Sequence, residues 1–311
     1  MRTGLSCKMN ITKVKSQLDT ILQNLNPQDF IDNDPISIPH RFTTKEDIEI
    51  SAFFAAILAW GQRKTIINNA NKLMYWMGEE PHRFIVEHSD TELKQFEKFV
   101  HRTFNSTDVL YFIEVLKHWY TAGKSLEDHF VGDTMKDKIS SFHQSFFAFD
   151  FAPDRTRKHI ANPAKNSSAK RLNMYLRWMV RGNSHSDRQV IRHPERSKRV
   201  NELRAEEQGA GAELDQSRHF DSAQCDPDLL STPRTINTLD FGIWHSIKPS
   251  ELKCPLDVHV QRAAFHFGLL TRKQQDWKAV EELSNNLLVL DPVDPIKYDL
   301  ALFKWSEGKM D

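Results

Sequence analysis

The chain is short of cysteine and glycine, carries no net charge and has no long apolar run, and each shortage excludes something. Its three cysteines, Cys7, Cys225 and Cys254, are scattered and odd in number, which argues against a disulfide framework and against a cysteine-rich zinc or iron–sulfur centre. Only 11 of its 311 residues are glycine, and the abundance of Leu, Lys, Glu and Gln favours helix. Lys and Arg number 42, as do Asp and Glu, so the formal net charge is zero. That rules out a histone-like polycation but leaves room for a local basic patch. No stretch approaches the ~20 apolar residues needed to span a membrane, and no secretory signal pattern follows Met1. The expectation is a cytoplasmic protein without membrane contact, built as one large domain or two small ones.

What is present reads as all-α. Val14, Leu18, Ile21, Leu22 and Leu25 form an amphipathic stripe in residues 1–26. Met9 is an alternative start, because the first eight residues carry no pattern. The Pro-rich stretch Pro27 to Phe42 reads as an ordered loop. Thr44 and Asp47 form a weak capping box for a helix from Glu46 to about Trp60, apolar on most sides and hence central. Gly61 ends it, and a further helix runs from about Lys64 to Met77. Helical spacing recurs at Phe84–His88, Thr91–Phe104, Val109–Ala122 and Met135–Phe147, then at about 257–268, 276–290 and 295–304. Asp294-Pro295 reads as the N-cap and first residue of the last helix. The resulting division is an N-terminal helix and loop (1–45), a helical domain (46–183 and 238–305) and a segment, 184–237, that does not fit.

That segment holds few large apolar residues, many charges and the run Gln208-Gly209-Ala210-Gly211-Ala212. A structureless loop of about 50 residues inside a compact domain is unusual. One codon choice for Asp221-Ser222-Ala223-Gln224-Cys225-Asp226, read on the opposite strand in a shifted frame, gives a peptide one residue from His193-Pro194-Glu195-Arg196-Ser197. The segment therefore reads as a translated inverted-repeat DNA element, and the competing reading is an ordinary loop. Both expect disorder and tolerance of removal. An inverted repeat flanking the segment in the gene decides between them.

Two elements carry chemistry. Between Arg155 and Ser186 there is no Asp or Glu but there are eight basic residues: Arg155, Arg157, Lys158, Lys165, Lys170, Arg171, Arg177 and Arg181. Such a run is often a solvated helix face. Here it is laid out as a short helix, the polar turn Pro163-Ala164-Lys165-Asn166-Ser167-Ser168, and a second helix with Leu172, Tyr175, Leu176 and Met179 inward. That layout aims backbone N–H groups at a phosphate backbone. The second element is Leu256-Asp257-Val258-His259-Val260-Gln261-Arg262, in which Asp257 opens a helix and is suited to cap it.

Lys170-Arg171-Leu172-Asn173 resembles the start of the second hairpin helix in the helix–hairpin–helix DNA glycosylase superfamily, where a Lys is followed by Asn three residues on. The Asp257 segment resembles that family's Val-Asp-Thr-His-Val-x-Arg, and Ile57-Leu58-Ala59-Trp60-Gly61-Gln62 resembles its Leu-Leu-Ser-Ala-Gln. The matches occur in the family's order and cover roughly residues 45–77 and 155–305. Lys170 and Asp257 lie 87 positions apart, or about 33 without the suspected insert, a spacing similar to the archaeal 8-oxoguanine glycosylase branch. The overall likeness is to a divergent bacterial family of unknown function related to these enzymes.

The resemblance implies a two-lobed helical bundle that excises a damaged, oxidised base from duplex DNA in base-excision repair, with abasic-site lyase activity and a nucleoid-associated location. Lys170 is then the Schiff-base nucleophile and Asp257 the essential carboxylate. DNA contacts fall to Gln62, Arg63, Lys165, Asn166, Ser167, Ser168, Arg171 and Arg177, and Trp178, Trp244 and His259 become candidates for the base pocket. No cofactor or metal is implied, since the superfamily's four-cysteine cluster is missing. The chain departs from the family's Leu-Pro-Gly-x-Gly turn: Pro163 stands two residues further from Lys170, and the turn has no glycine. These departures support a competing reading, a DNA-binding module without the chemistry; an unrelated helical protein is the third.

Overall fold

A computed structural model describes residues 10–182 and 239–308. The suspected insert 184–237 and the alternative start at Met9 lie outside the described residues. The first helix, α1 (Ile11–Gln23), buries Val14 and Leu18 as its stripe requires. The segment after it, expected as an ordered loop, is ordered as short helical elements, with α2 (Pro27–Asp32) followed by 3-10 turns at Pro35–Ser37 and Pro39–Arg41. Pro27, Pro35 and Pro39 each open their element, where a missing N–H leaves no hydrogen bond unmade.

Helix α3 (Lys45–Leu58) is the core element. Thr44 Oγ1 accepts from the Asp47 N–H at 3.2 Å, and every residue from Ile48 to Leu58 is buried. It packs against α4 (Arg63–Trp76), α5 (Pro81–Glu87) and α9 (Lys170–Val180). The helical spacing read at Thr91–Phe104 does not become a helix. A single turn, α6 (Asp90–Leu93), tightens into a 3-10 helix at Lys94–Lys98, and a two-residue antiparallel hairpin of β1 (Val100–His101) and β2 (Phe104–Asn105) follows. Helical geometry ends at Lys98, where Phe99 turns extended, and Arg102, at φ 57°, makes the left-handed turn of the hairpin. Helices α7 (Ser106–Thr121) and α8 (Met135–Phe146) follow as expected, and their rings Phe112, Phe142 and Phe146 cluster on Phe53.

After the undescribed segment come α10 (Val258–His266), α11 (Trp277–Leu290) and α12 (Tyr298–Glu307). Helix α12 packs on both α10 and α1. The chain is thus mostly helical, as composition indicated. Asp294 does not cap the last helix as its sequence context suggested: no side-chain cap is formed, because its carboxylate holds Arg181 at 2.7 Å. Among the described residues, no helix is long and apolar enough to cross a membrane, and no group of three or more His, Cys, Asp or Glu is placed to hold a metal ion.

One carboxylate sits inside the core. Glu49 is fully buried on α3 and accepts from Tyr120 Oη at 2.8 Å and Trp244 Nε1 at 2.6 Å, with Lys45 Nζ 3.6 Å away. Burial pushes its carboxyl up to about 7 from 4.5. The folded state therefore holds this proton more tightly than the unfolded chain does. Stability from this group is full below about pH 4.5, falls as pH rises, and levels off above about 7, a total loss of about 3 kcal/mol. Glu49→Gln removes the titration. Its stability relative to the parent, measured by denaturant unfolding, is expected to improve by about 3 kcal/mol between pH 4.5 and pH 8.

Candidate active site

Lys170 is the first residue of α9, and Asp257 is the N-cap of α10. Asp257 Oδ1 accepts from the N–H groups of His259 and Val260, both at 2.9 Å. This fixes the carboxylate and leaves Oδ2 to face Lys170 Nζ at 3.0 Å. The pair is neither sealed nor free in solvent: the lysine side chain is 35% exposed and the aspartate 17%. Helix α9 belongs to the group around α3, and α10 to the group around α12, so the pair bridges the two.

The same contact is braced below. Arg177 lies two turns along α9 from Lys170, on the same face. It pairs with Asp240 at 3.3 Å and with Asp299 of α12, and Arg181 joins Asp240 to Asp294. Arg177 is 3% exposed. Although burial alone disfavours its charge, Asp240 and Asp299 hold the guanidinium well above its ordinary range. The expectation that Arg177 touches DNA is therefore corrected: its charge is fully committed inside the fold. Arg155 is committed too, to Asp108 at 2.8 Å. Burial works to raise the Asp108 carboxyl, but His159 beside it at 3.4 Å, the Thr156 hydroxyl donating at 2.7 Å and the Asn105 N–H donating at 2.9 Å hold it at about 2.

The remaining five basic residues of the run, Arg157, Lys158, Lys165, Lys170 and Arg171, line one cleft of about 550 Å³. Trp60, His143, Asn162, Ser167 and Ser168 complete its polar and aromatic wall, and no carboxylate lines it. Arg171 donates to the carbonyls of Ile57 (2.5 Å) and His159 (3.0 Å), and burial lowers its guanidinium to about 10. It thus ties the end of α3 to the residues before the turn while keeping an unneutralised positive charge in the cleft wall. Trp60 stands between the guanidinium groups of Arg102 (4.8 Å) and Arg171 (5.9 Å). No pattern in the sequence singles out Trp60 or His143 as a cleft residue. The one available signal was that Trp60 directly precedes the Gly61-Gln62 helix break.

The turn before Lys170 differs from the sequence reading in detail. Its first arm is a 3-10 helix, Asp154–His159, rather than an α-helix, and a second 3-10 turn spans Pro163–Lys165. Asn166 (φ 64°) and Ala169 (φ 48°) are both left-handed, the conformation for which glycine is the usual residue. Asn166 offsets this with specific bonds. Its Nδ2 donates to Asp276 Oδ2 at 3.1 Å, its carbonyl accepts from the Trp277 N–H at 3.3 Å, and Ser167 pairs with Asp276 in a β-bridge.

Other candidates fall elsewhere. Trp178 is fully buried, and Trp244 is buried with its Nε1 bonded to Glu49. Neither can wall a base pocket, because both indoles are packed in the core, which corrects that expectation. His259 places its ring 5.7 Å from Phe303 and does not line the cleft. Gln62 is the exposed N-cap of α4 and makes no side-chain cap bond. Arg63 pairs with Glu307 at 3.1 Å on the surface.

The sequence pattern of a family described as "Protein of unknown function (DUF2400)" matches residues 34–196 and 234–307. The residues between the two matched stretches fall within the segment read as an insert. No curated protein and no solved structure matches the chain.

Proposed function

We propose that this chain, which belongs to the family of proteins of unknown function (DUF2400), is a DNA base-excision glycosylase with associated abasic-site lyase chemistry. The observation that carries the reading is the 3.0 Å pairing of Lys170 Nζ with Asp257 Oδ2 beside a basic cleft free of carboxylates. In this reading the two groups of helices form the two lobes of the glycosylase fold, and the turn Pro163–Ala169 lies along the phosphate backbone. An extruded damaged nucleotide enters the cleft. The deprotonated Lys170 amine attacks C1′, and the base leaves with the electrons of the glycosidic bond. The nitrogen then gives up one of its two protons, and its lone pair expels O4′, which takes up a proton, so that the sugar ring opens to a C1′ iminium that keeps one N–H. Asp257, fixed by two N–H donors, is the nearest acceptor for the ammonium proton and stabilises positive charge on the sugar. Loss of a C2′ proton and expulsion of the 3′ phosphate then nick the strand.

Borohydride reduction tests this. The protein incubated with duplexes carrying 8-oxoguanine or an abasic site, then reduced, is expected to give a covalent adduct. A second reading, a DNA-binding module without chemistry, is favoured by one observation: Asn166 and Ala169 place side chains where a glycine turn lets phosphate approach closely. It expects binding in low salt and no adduct on any substrate. Neither binding nor adduct contradicts both.

A further inference from the structure

The hairpin turn is joined to a second basic element that the site does not use. The loop from Thr271 to Gln275 connects α10 to α11, and Asp276 caps α11 through the Ala279 N–H at 3.1 Å. Asp276 also grips Arg272 and accepts from Asn166, and Arg272 and the hydrogen bonds hold its carboxyl well below the ordinary range. Through this one carboxylate, the β-bridge to Ser167 and the Trp277–Asn166 backbone bond, loop and turn form a single rigid surface.

That surface is open and cationic. Thr271, Arg272, Lys273, Gln274, Lys278 and Glu282 line a shallow concavity of about 640 Å³. Its one carboxylate is occupied, since Glu282 accepts from both the N–H and the hydroxyl of Thr271 at 2.6 Å. Arg272 is spent on Asp276. Lys273 and Lys278 are exposed and have no carboxylate partner among the described residues, and the same holds for Lys165 on the adjoining turn. Free lysines beside a turn built to meet phosphate match the charge and the extended form of a nucleic acid backbone.

We infer that Lys273 and Lys278 form a second phosphate-contacting track, which extends the duplex DNA footprint from the turn Pro163–Ala169 across the α10–α11 loop. The inference rests on the proposed DNA reading, and its test separates the two. Binding of the full chain to an abasic-site duplex is followed by fluorescence anisotropy across a salt series. Each phosphate contact contributes about 0.9 to the slope of log affinity against log salt. The double variant Lys273→Ala/Lys278→Ala is expected to lose about two units of that slope and to bind several-fold more weakly, and Lys273→Arg/Lys278→Arg to restore both. Both variants are on the surface, so thermal melting checks that the fold is intact. If the parent chain binds and the double alanine variant keeps its slope and affinity, the track is refuted and the DNA reading survives. If the parent chain binds no duplex at any salt, both fall.

Discussion

Replacing Arg177 with alanine is expected to destabilise the protein by about 3–5 kcal/mol, because it strands the buried Asp299 and leaves buried Asp240 with Arg181 as its one remaining ion-pair partner. Asp240 and Asp299 are 3% and 5% exposed, and each is an ion-pair partner of Arg177. Burial raises the Asp299 carboxyl, and Arg177 opposes that rise. Without the guanidinium, Asp299 can regain neutrality only by taking up a proton. The loss is therefore expected to be larger at pH 8 than at pH 5, and thermal melting at the two values measures it. A fall in melting temperature on the order of 10 °C corresponds to this cost in a domain of this size. Neutralising the acids together with the arginine, as in Arg177→Met/Asp240→Asn/Asp299→Asn, is expected to recover part of the loss, since no buried charge is then left alone. A parent-like melting temperature for Arg177→Ala contradicts the account of this cluster as the brace between α9 and α12.

Lys170 and Asp257 are expected to fail in different ways. Lys170→Ala removes the proposed nucleophile and leaves Asp257 partly exposed and still hydrogen-bonded, so on the proposed mechanism stability is expected to hold while excision and adduct formation vanish. Asp257 has two separable roles. Its Oδ1 caps α10, a contribution of about 1 kcal/mol, and its Oδ2 meets Lys170 at 3.0 Å. Asp257→Asn keeps an oxygen for the cap and loses the charge. It is expected to melt like the parent and to excise about 10²–10³-fold more slowly under single turnover. Asp257→Ala loses both and is expected to add a stability loss of about 1 kcal/mol to the same kinetic defect. If Asp257→Asn excises at the parent rate, the carboxylate is only a helix cap.

The elements that were legible in the sequence are those whose causes are local. Thr44 three residues before Asp47, followed by an apolar run, marks the start of α3 without reference to anything distant. Asp257 ahead of an apolar-periodic stretch does the same for α10. The proximity of Lys170 to Asp257 was legible only through the likeness of their neighbours to a known family, since nothing local brings positions 87 residues apart together. The fate of the other charges was hidden for the same reason. Arg177 and Lys165 look alike in the run, yet one meets acids 63 and 122 residues away and the other meets none among the described residues. Asp294 carries every local sign of an N-cap, and Arg181 takes its carboxylate from 113 positions away. Trp244 stands near the motifs in sequence, but its indole N–H is drawn inward by a buried acid 195 residues earlier. The helical spacing from Thr91 to Phe104 holds as far as Lys98, and beyond it Phe99 turns extended and the backbone pairs with itself around a left-handed Arg102.

The central claim is that one particular lysine reacts with the sugar, and peptide mapping of the reduced adduct tests it most directly. The protein is trapped on an abasic-site duplex with borohydride, digested, and the modified peptide sequenced by mass spectrometry. The account predicts a deoxyribose remnant on Lys170. A remnant on Lys158 or Lys165, which line the same cleft, or no remnant on any lysine, contradicts it.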